Sequence, residues 1–320
     1  MSVNPFDFDA AVAAPFRMQP GLRRLQAGLP QLTPLQPGSR HQREKLAVLS
    51  AYWQQALQQA TGFDAAPALN ALCRHAAAEH PQAWAWDGHR AQALKLGAAV
   101  TTDGLVEQLQ AGVFGLGDEV TRCLHGLPAP WRLTGLLGLA FAEDFAVVNG
   151  RDGSIPWLAV CLPSHWAPED KVGRHFSEVH APVADNTLLL KASDSLTRLI
   201  CGPERWERFV WNVTDQPRLH AHPAHVAEQR WQQTAVEQAW FRSERQTFIP
   251  VAGQGPHQAV FTILVQVQPL ADVLDTPSRA QALHDAIASM SPAVLAYRSL
   301  HSVRGPLLHW LATRAQAAAA

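Results

Sequence analysis

Residues 145–162 read FAVVNGRDGSIPWLAVCL, and this stretch decides the fold class. Two short apolar runs lie on either side of Asn149-Gly150, a dipeptide favoured in tight hairpin turns because both positions can adopt positive φ. Pro163 ends the second run, since proline cannot donate a main-chain hydrogen bond to a neighbouring strand. The stretch therefore predicts an antiparallel β-hairpin.

Three more strands are predicted downstream of the hairpin, at 208–213, 241–251 and 259–267. Each segment is rich in the β-branched and aromatic residues that favour strands. Residues 252–256, which read AGQGP, predict a loop between the last two strands. These segments make the second half of the chain mostly strand.

Helices are predicted before the hairpin. Apolar residues recur at helical spacing over 41–59 and again over 66–78. Thr101-Thr102-Asp103, followed by Leu105 and Leu109, predicts a short capped helix at 101–109. Three helices therefore precede the first predicted strand.

Helices are also predicted after the hairpin and at the C-terminal end. The stretch 163–171 predicts a short helix or turn with Ser164 as its cap, and 193–200 predicts a helix that Gly202-Pro203 ends. Near the C-terminus, 283–290 has one apolar face, and Pro292 and Pro306 each mark the start of another helix.

The order of helices, mostly antiparallel strands and helices again predicts an α+β fold. We expect residues 1–135 to form an arm and helical region packed on the core, 136–270 the β-rich core, and 271–320 C-terminal helices. The three segments are expected to form one compact unit.

The composition excludes several classes of protein. With 47% hydrophobic and 17% charged residues, the chain has the composition of a globular protein. Its 26 basic and 27 acidic residues balance, which argues against a nucleic-acid or membrane surface. No apolar run approaches the roughly 20 residues of a membrane helix, and the start lacks a secretory pattern. The four cysteines are widely spaced without a CxxC motif, so we expect reduced thiols and a cytoplasmic location.

The predicted strand at 241–251 carries charged residues in its first half. Alternation places Arg242 and Glu244 on one face, and Ser243 and Arg245 on the other. Two interpretations are open. The guanidinium groups could bind paired carboxylates such as haem propionates, or arginine and glutamate could pair with each other across an exposed sheet face.

Two histidine segments are candidate metal ligands. His180, flanked by apolar residues, could present a neutral imidazole to a metal or haem iron, or could be a buried histidine with a hydrogen-bond partner. His220, His222 and His225 could bind a metal. They could equally belong to a polar loop, because Pro223 prevents them from forming one regular face. No dinucleotide, phosphate-loop, hydrolase, zinc-protease or CxxCH motif is present, so a haem would be bound non-covalently.

The chain resembles the alpha subunit of haem-dependent oxidative N-demethylase over most of its length. The resemblance is carried by six segments in the same order: Pro15–Leu22, the central block of Glu143–Phe145 with 161–166 and 171–173, Val179–Val183, Arg208 with Trp211, Arg242–Thr247, and Ser289–Ala293 through Tyr297. The chain departs from the family pattern at Ala184-Asp185-Asn186 and in the cluster of His220, His222 and His225.

This resemblance implies a PAS-like, mostly antiparallel sheet with N- and C-terminal helical extensions. It implies non-covalent haem b, with His180 as the ligand of the iron, and oxidative removal of a methyl group from a small secondary amine with dioxygen. Such a monooxygenase-type oxidoreductase works beside partner subunits that carry flavin and an iron–sulfur centre and take electrons from NADPH.

The resemblance also implies roles for several side chains. The candidate cofactor contacts besides His180 are Arg242, Arg245, Arg208 and Trp211. Glu244 is the candidate catalytic residue, since it could pair with an arginine or with a cationic amine. Two other functions remain open: a non-catalytic haem PAS-type sensor, and a haem-free structural relative.

Overall fold

The computed structural model describes residues 6–252 and 257–316. The helices are α1 (Phe8–Ala11), α2 (Arg40–Ala51), α3 (Trp53–Ala56), α4 (Ala66–Glu79), α5 (Glu119–Gly126), α6 (Arg132–Ala140), α7 (Phe176–His180), α8 (Thr187–Lys191), α9 (Ser193–Ile200), α10 (Leu270–Val273), α11 (Pro277–Ala288), α12 (Pro292–Tyr297) and α13 (Arg304–Gln316). The strands are β1 (Arg23–Arg24), β2 (Leu57–Gln59), β3 (Trp84–Trp86), β4 (Arg90–Ala93), β5 (Ala98–Thr101), β6 (Val106–Gln108), β7 (Asp144–Asn149), β8 (Trp157–Ala159), β9 (Trp206–Thr214), β10 (Trp240–Val251) and β11 (Gln258–Pro269). None of the helices in these two ranges is long and apolar enough to cross a membrane.

A seven-stranded antiparallel sheet has the order β1-β9-β10-β11-β7-β8-β2. The predicted hairpin is β7 and β8, and the three downstream strands are β9, β10 and β11. In this order the first strand of the hairpin pairs with the last strand of the chain, so the sheet centre joins residues over 100 positions apart. The α+β class with helical extensions is confirmed.

Helical segments pack on this sheet in two apolar clusters. The first cluster joins α2, α4 and α6 to β7, β8 and β11. The second joins α11, α12 and α13 to Trp211, Val213 and Phe241 on β9 and β10. The first cluster crosses the border expected at 135, and the second crosses the borders at both 135 and 270. The division of the chain into three segments stays a prediction.

The helix predicted at 41–59 is wrong at its C-terminal end. Helix α2 ends at Ala51, and Leu57–Gln59 forms the edge strand β2 beside β8. Pairing with Trp157–Ala159 satisfies main-chain groups at the edge of β8, and it buries Leu57 in the first cluster. A tertiary contact therefore overrides the local helical pattern.

The short helix predicted at 101–109 is also wrong. Strands β5 and β6 lie there instead, and with β3 and β4 they form a four-stranded antiparallel sheet. Gly104 has a φ of +87°, which favours glycine, and the Thr101 hydroxyl accepts a hydrogen bond from the Leu105 amide at 3.0 Å. The threonine therefore stabilises a turn between two strands.

The remaining helical predictions are confirmed within a few residues, at α4, α9, α11, α12 and α13. Of the loop predicted at 252–256, residues 253–256 lie outside the described residues.

Lys45 anchors α2 to the start of β7. Its side chain is fully buried, and Nζ lies 3.1 Å from Asp144 Oδ1. Nζ also donates to the main-chain carbonyls of Phe141 at 3.1 Å and Glu143 at 2.5 Å. The Lys45 ammonium group is therefore held by hydrogen-bond acceptors of the protein, at Phe141, Glu143 and Asp144.

We expect Lys45→Met to lower the free energy of unfolding by about 3–5 kcal/mol, because it leaves the buried Asp144 carboxylate without its cation. The midpoint of urea unfolding, followed by circular dichroism, measures the loss. Arg43→Met on the exposed side of the same helix is the matched control. Adding Asp144→Asn to Lys45→Met should recover part of the loss, and equal midpoints for wild type and Lys45→Met would contradict the prediction.

Candidate functional site

The charged residues of β10 lie on two different faces of the large sheet. Glu244 pairs with Val210, and Gln246 pairs with Arg208. Directly paired residues share a face, and residues two apart share a face. Arg208, Arg242, Glu244 and Gln246 therefore lie on one face, which we call the site face.

Helix α7 covers part of the site face. Val179 packs against Ala146 and Leu158, which lie on that face of β7 and β8. The start of α7 is fixed to the hairpin, because the Ile155 amide donates to the Arg174 carbonyl at 3.0 Å. His180 is the last residue of this helix.

His180 has a fixed orientation and one free ring nitrogen. Its Nδ1 lies 2.7 Å from the Phe176 carbonyl oxygen. A carbonyl can only accept, so we assign the hydrogen to Nδ1 and the lone pair to Nε2. Burial is the main cause that lowers the pKa of His180 to about 4; Arg208 and Lys171 contribute to the fall, and the hydrogen bond with Phe176 opposes it. The imidazole is therefore neutral at neutral pH, which is the form that binds a metal ion.

Arg208 is a cation without a counter-ion contact. Its Nε is buried and has no hydrogen-bond partner, and the Asn212 Oδ1 on the same face is also buried and unpartnered. No described residue forms a hydrogen bond or an ion pair with the Arg208 guanidinium. Burial lowers the pKa of Arg208, whereas the nearby Glu244 raises it. An anionic group of a ligand would give the Arg208 guanidinium a counter-ion and its Nε a hydrogen-bond acceptor.

All three guanidinium nitrogens of Arg242 donate hydrogen bonds to protein acceptors. Its Nε donates to Ser164 Oγ at 2.7 Å, and its other nitrogens donate to main-chain carbonyls. These carbonyls belong to Leu162, Pro163, Arg218 and Leu219, at 2.8–3.1 Å. Each of the three guanidinium nitrogens therefore has a protein acceptor, so Arg242 holds two loops against β10 and leaves at most one Nη1–H for a ligand.

Glu244 is held at both carboxylate oxygens. Ser164 Oγ forms a short hydrogen bond with Oε1, and Gln246 Nε2 donates to Oε2 at 2.6 Å. The prediction that Ser164 caps a helix is wrong, since its hydroxyl lies between Arg242 and Glu244. The helical turn that follows is a 3-10 turn at Pro168–Asp170 without a side-chain cap.

Arg245 and Trp211 lie on the opposite face of the sheet. Arg245 pairs with the buried Glu207 at 2.9 Å and donates to the Pro30 carbonyl at 2.7 Å. The Trp211 ring lies 6.0 Å from the Phe241 ring, and its Nε1 donates to the Ala11 carbonyl at 2.9 Å. The structure does not bring these two residues together with His180. They hold the N-terminal arm on the sheet instead.

Tyr297 joins the site face from the end of α12, and the sequence interpretation assigned it no role. Arg298 donates to the Trp211 carbonyl, and Asn212 Nδ2 donates to the Arg298 carbonyl at 3.3 Å, which fixes the helix end at the edge of β9. Desolvation raises the pKa of the Tyr297 phenol and Glu244 adds to the rise, although half of the side chain is exposed. Two signals were available in the sequence: the chain has only two tyrosines, and Tyr297 ends the last segment that carries the family resemblance.

Among the described residues, His220, His222 and His225 form no hydrogen bond or ring contact with His180. The three rings lie 5.3–6.1 Å apart, and each has a protein partner. His220 bonds the Cys161 carbonyl, His222 the Glu169 carboxylate and His225 the Gln55 amide. In residues 6–252 and 257–316, no group of three or more His, Cys, Asp or Glu could hold a metal ion.

Comparison with known proteins identifies a family. The model of a family described as haem-dependent oxidative N-demethylase, alpha subunit-like, matches residues 41–308. This range contains His180, Arg208, Glu244 and Tyr297. No curated protein matches the chain.

Proposed function

Since the chain belongs to the haem-dependent oxidative N-demethylase, alpha subunit-like family, we propose that it binds haem b through His180 and demethylates a secondary amine. One observation carries the proposal. The neutral His180, with Nε2 free, is close enough to the unpaired Arg208 for the arginine charge to lower the His180 pKa, and Arg208 lies on the sheet face that holds Glu244.

The residues present fit the iron of a non-covalent haem. A bound haem would need a donor atom from the protein for its iron, because the porphyrin supplies only its own four nitrogens. An imidazole whose Nδ1–H is bonded to a carbonyl has a fixed tautomer and directs Nε2 at the metal. His180 meets this requirement through the Phe176 carbonyl.

The residues also fit the propionate groups. Arg208 has a buried, unpartnered Nε and a guanidinium fork, which matches a carboxylate in two-point geometry. Among the arginines predicted to bind the cofactor, Arg242 has a protein acceptor at each of its three nitrogens, and Arg245 lies on the opposite face of the sheet. Arg208 is therefore our choice for the propionate contact.

Glu244 is our choice for the amine contact. Its two oxygens each accept one hydrogen bond from the protein, and a carboxylate has about four acceptor positions. A cationic secondary ammonium group can therefore donate to the positions that remain. The half-exposed Tyr297 ring is an aromatic surface on which such a cation can rest.

Haem, when bound, would supply the oxidative chemistry, in which dioxygen is reduced and the methyl group leaves as formaldehyde. The chain would bind the amine, orient its methyl group and exclude bulk water. The family is defined as alpha subunit-like, which implies partner subunits. We propose that these carry flavin and an iron–sulfur centre and deliver electrons from NADPH.

Two measurements test the proposed function. The protein is expressed with a haem precursor, and its visible spectrum should show a Soret band with near-stoichiometric haem. Formaldehyde should then be released when dimethylamine, dioxygen, NADPH and a flavin-dependent reductase are added. A Soret band without formaldehyde would favour a haem sensor. A colourless protein that cannot be reconstituted would favour a haem-free relative.

We expect Arg208→Gln to weaken haem binding about tenfold, because a hydrogen-bonded carboxylate loses its charged partner at a partly exposed position. The rate of haem transfer to a scavenger apoprotein measures the change. Arg205→Gln, exposed just before β9, is the matched control and should keep the wild-type rate. Equal transfer rates for all three proteins would contradict the assignment.

A further inference from the structure

We infer that Ser164 is a positioning residue, which holds the Glu244 carboxylate in the orientation that receives the ammonium group of the substrate. The inference rests on the proposed function, because it assigns a role to the contact between Glu244 and an amine. Nothing in the family description or in the sequence pattern assigns this role to Ser164.

The polarity of the hydrogen bonds around Ser164 is determined by Arg242. A guanidinium N–H can only donate, and Arg242 Nε donates to Ser164 Oγ at 2.7 Å. The hydroxyl has one hydrogen, and Glu244 Oε1 is its partner. Ser164 therefore donates to Glu244, and the positive charge of Arg242 strengthens this donation through the shared oxygen.

The main chain of Ser164 is held on both sides. The Leu162 amide donates to Asp144 Oδ2 at 2.6 Å. After Ser164, the His165 amide donates to the Ala221 carbonyl at 2.9 Å, and the Ala221 amide donates to the Pro163 carbonyl at 3.1 Å. His165 has a φ of +63°, a left-handed conformation that a non-glycine residue keeps only when its neighbours impose it. The hydroxyl is therefore presented from a rigid support.

Glu244 lies in the middle of β10, and rotation about its side-chain bonds is limited by two contacts. Ser164 holds Oε1, and Gln246 holds Oε2 at 2.6 Å. Without Ser164 the carboxylate can turn about the contact with Gln246, and its free acceptor positions no longer point in one direction. Amine affinity then falls because the ligand must fix the carboxylate when it binds.

The test measures amine binding without turnover. Dimethylammonium is titrated into wild type and Ser164→Ala, and the heat of binding gives the dissociation constant. We expect Ser164→Ala to bind about 10- to 100-fold more weakly, as for a lost hydrogen bond to a charged group. Ser164→Thr, which keeps the hydroxyl, should restore most of the affinity. In steady-state assays KM should rise more than kcat falls, and the Soret band should not change.

Two further variants serve as a control and as a substitute in case Ser164→Ala does not fold. Ser195→Ala, exposed on α9, is the matched control and should bind as wild type does. If Ser164→Ala does not fold, Ser164→Cys keeps the side-chain volume with a weak donor and should also bind more weakly. Wild-type affinity in a folded Ala or Cys variant would overturn this inference alone. A haem-loaded wild type that binds no amine would overturn the proposed function and this inference with it.

Discussion

Purified His180→Ala is expected to lack stoichiometric haem and to show no Soret band of a ligated haem protein. The reason is that His180 Nε2 is the proposed axial donor, and its orientation depends on the bond from Nδ1 to the Phe176 carbonyl. An alanine methyl group cannot donate electrons to iron, and a non-covalent haem would then be held by the pocket alone.

The absorbance spectrum, with haem counted against protein, measures this loss. His301→Ala is the matched control, since His301 is exposed in a 3-10 turn far along the chain from α7. Thermal melting should show that the His180→Ala protein is folded, and added imidazole should recover part of the Soret band. Full haem occupancy with an unchanged ferric spectrum in His180→Ala would refute the assignment of the ligand.

The Glu244→Gln variant is expected to keep its haem and to lose amine turnover, with kcat/KM lower by about 10²- to 10⁴-fold. The substitution preserves side-chain volume and removes the negative charge that attracts an ammonium group. The amide nitrogen of the new side chain also meets a donor, either Ser164 or Gln246, where the carboxylate accepted from both.

Formaldehyde release with dimethylamine and a reductase partner measures the effect. Glu228→Gln, at an exposed position, is the matched control and should retain turnover. The haem spectrum shows whether the substitution affects only amine binding or also the haem site. The proposed iron ligand is on α7 and not on β10, so a change confined to Glu244 should leave the spectrum unaltered. Turnover of Glu244→Gln within a few-fold of wild type would exclude Glu244 as the amine contact.

Several parts of the fold could be predicted from the sequence because their causes are local. Asn149-Gly150 predicted the β7–β8 hairpin, although the residue with a positive φ in its loop is Gly153, at +69°, and not either of these two. Pro292 predicted the start of α12. Alternation in β10 also separated Arg242 and Glu244 from Ser243 and Arg245, which the strand register confirms. These signals depend on a few neighbouring residues and on a period of two.

Other parts could not be predicted because their causes are distant in the chain. Leu57–Gln59 has a helical pattern and forms a strand, since β8 offers an unpaired edge 100 residues later. Thr101 is a residue type that often caps a helix, yet its hydroxyl stabilises a turn between β5 and β6. In both places the chain satisfies its main-chain hydrogen bonds with a partner that the local pattern does not reveal.

The α+β class, the order of the central strands along the chain and the common face of Arg242 and Glu244 follow from local patterns in the sequence. The partners of each polar side chain depend on the folded chain. Arg242 donates hydrogen bonds to carbonyls of two distant loops, whereas the buried Nε of Arg208 has no hydrogen-bond partner. The physical reason is that side-chain direction follows from the local backbone, whereas the availability of a donor depends on acceptors that the fold brings from elsewhere in the chain.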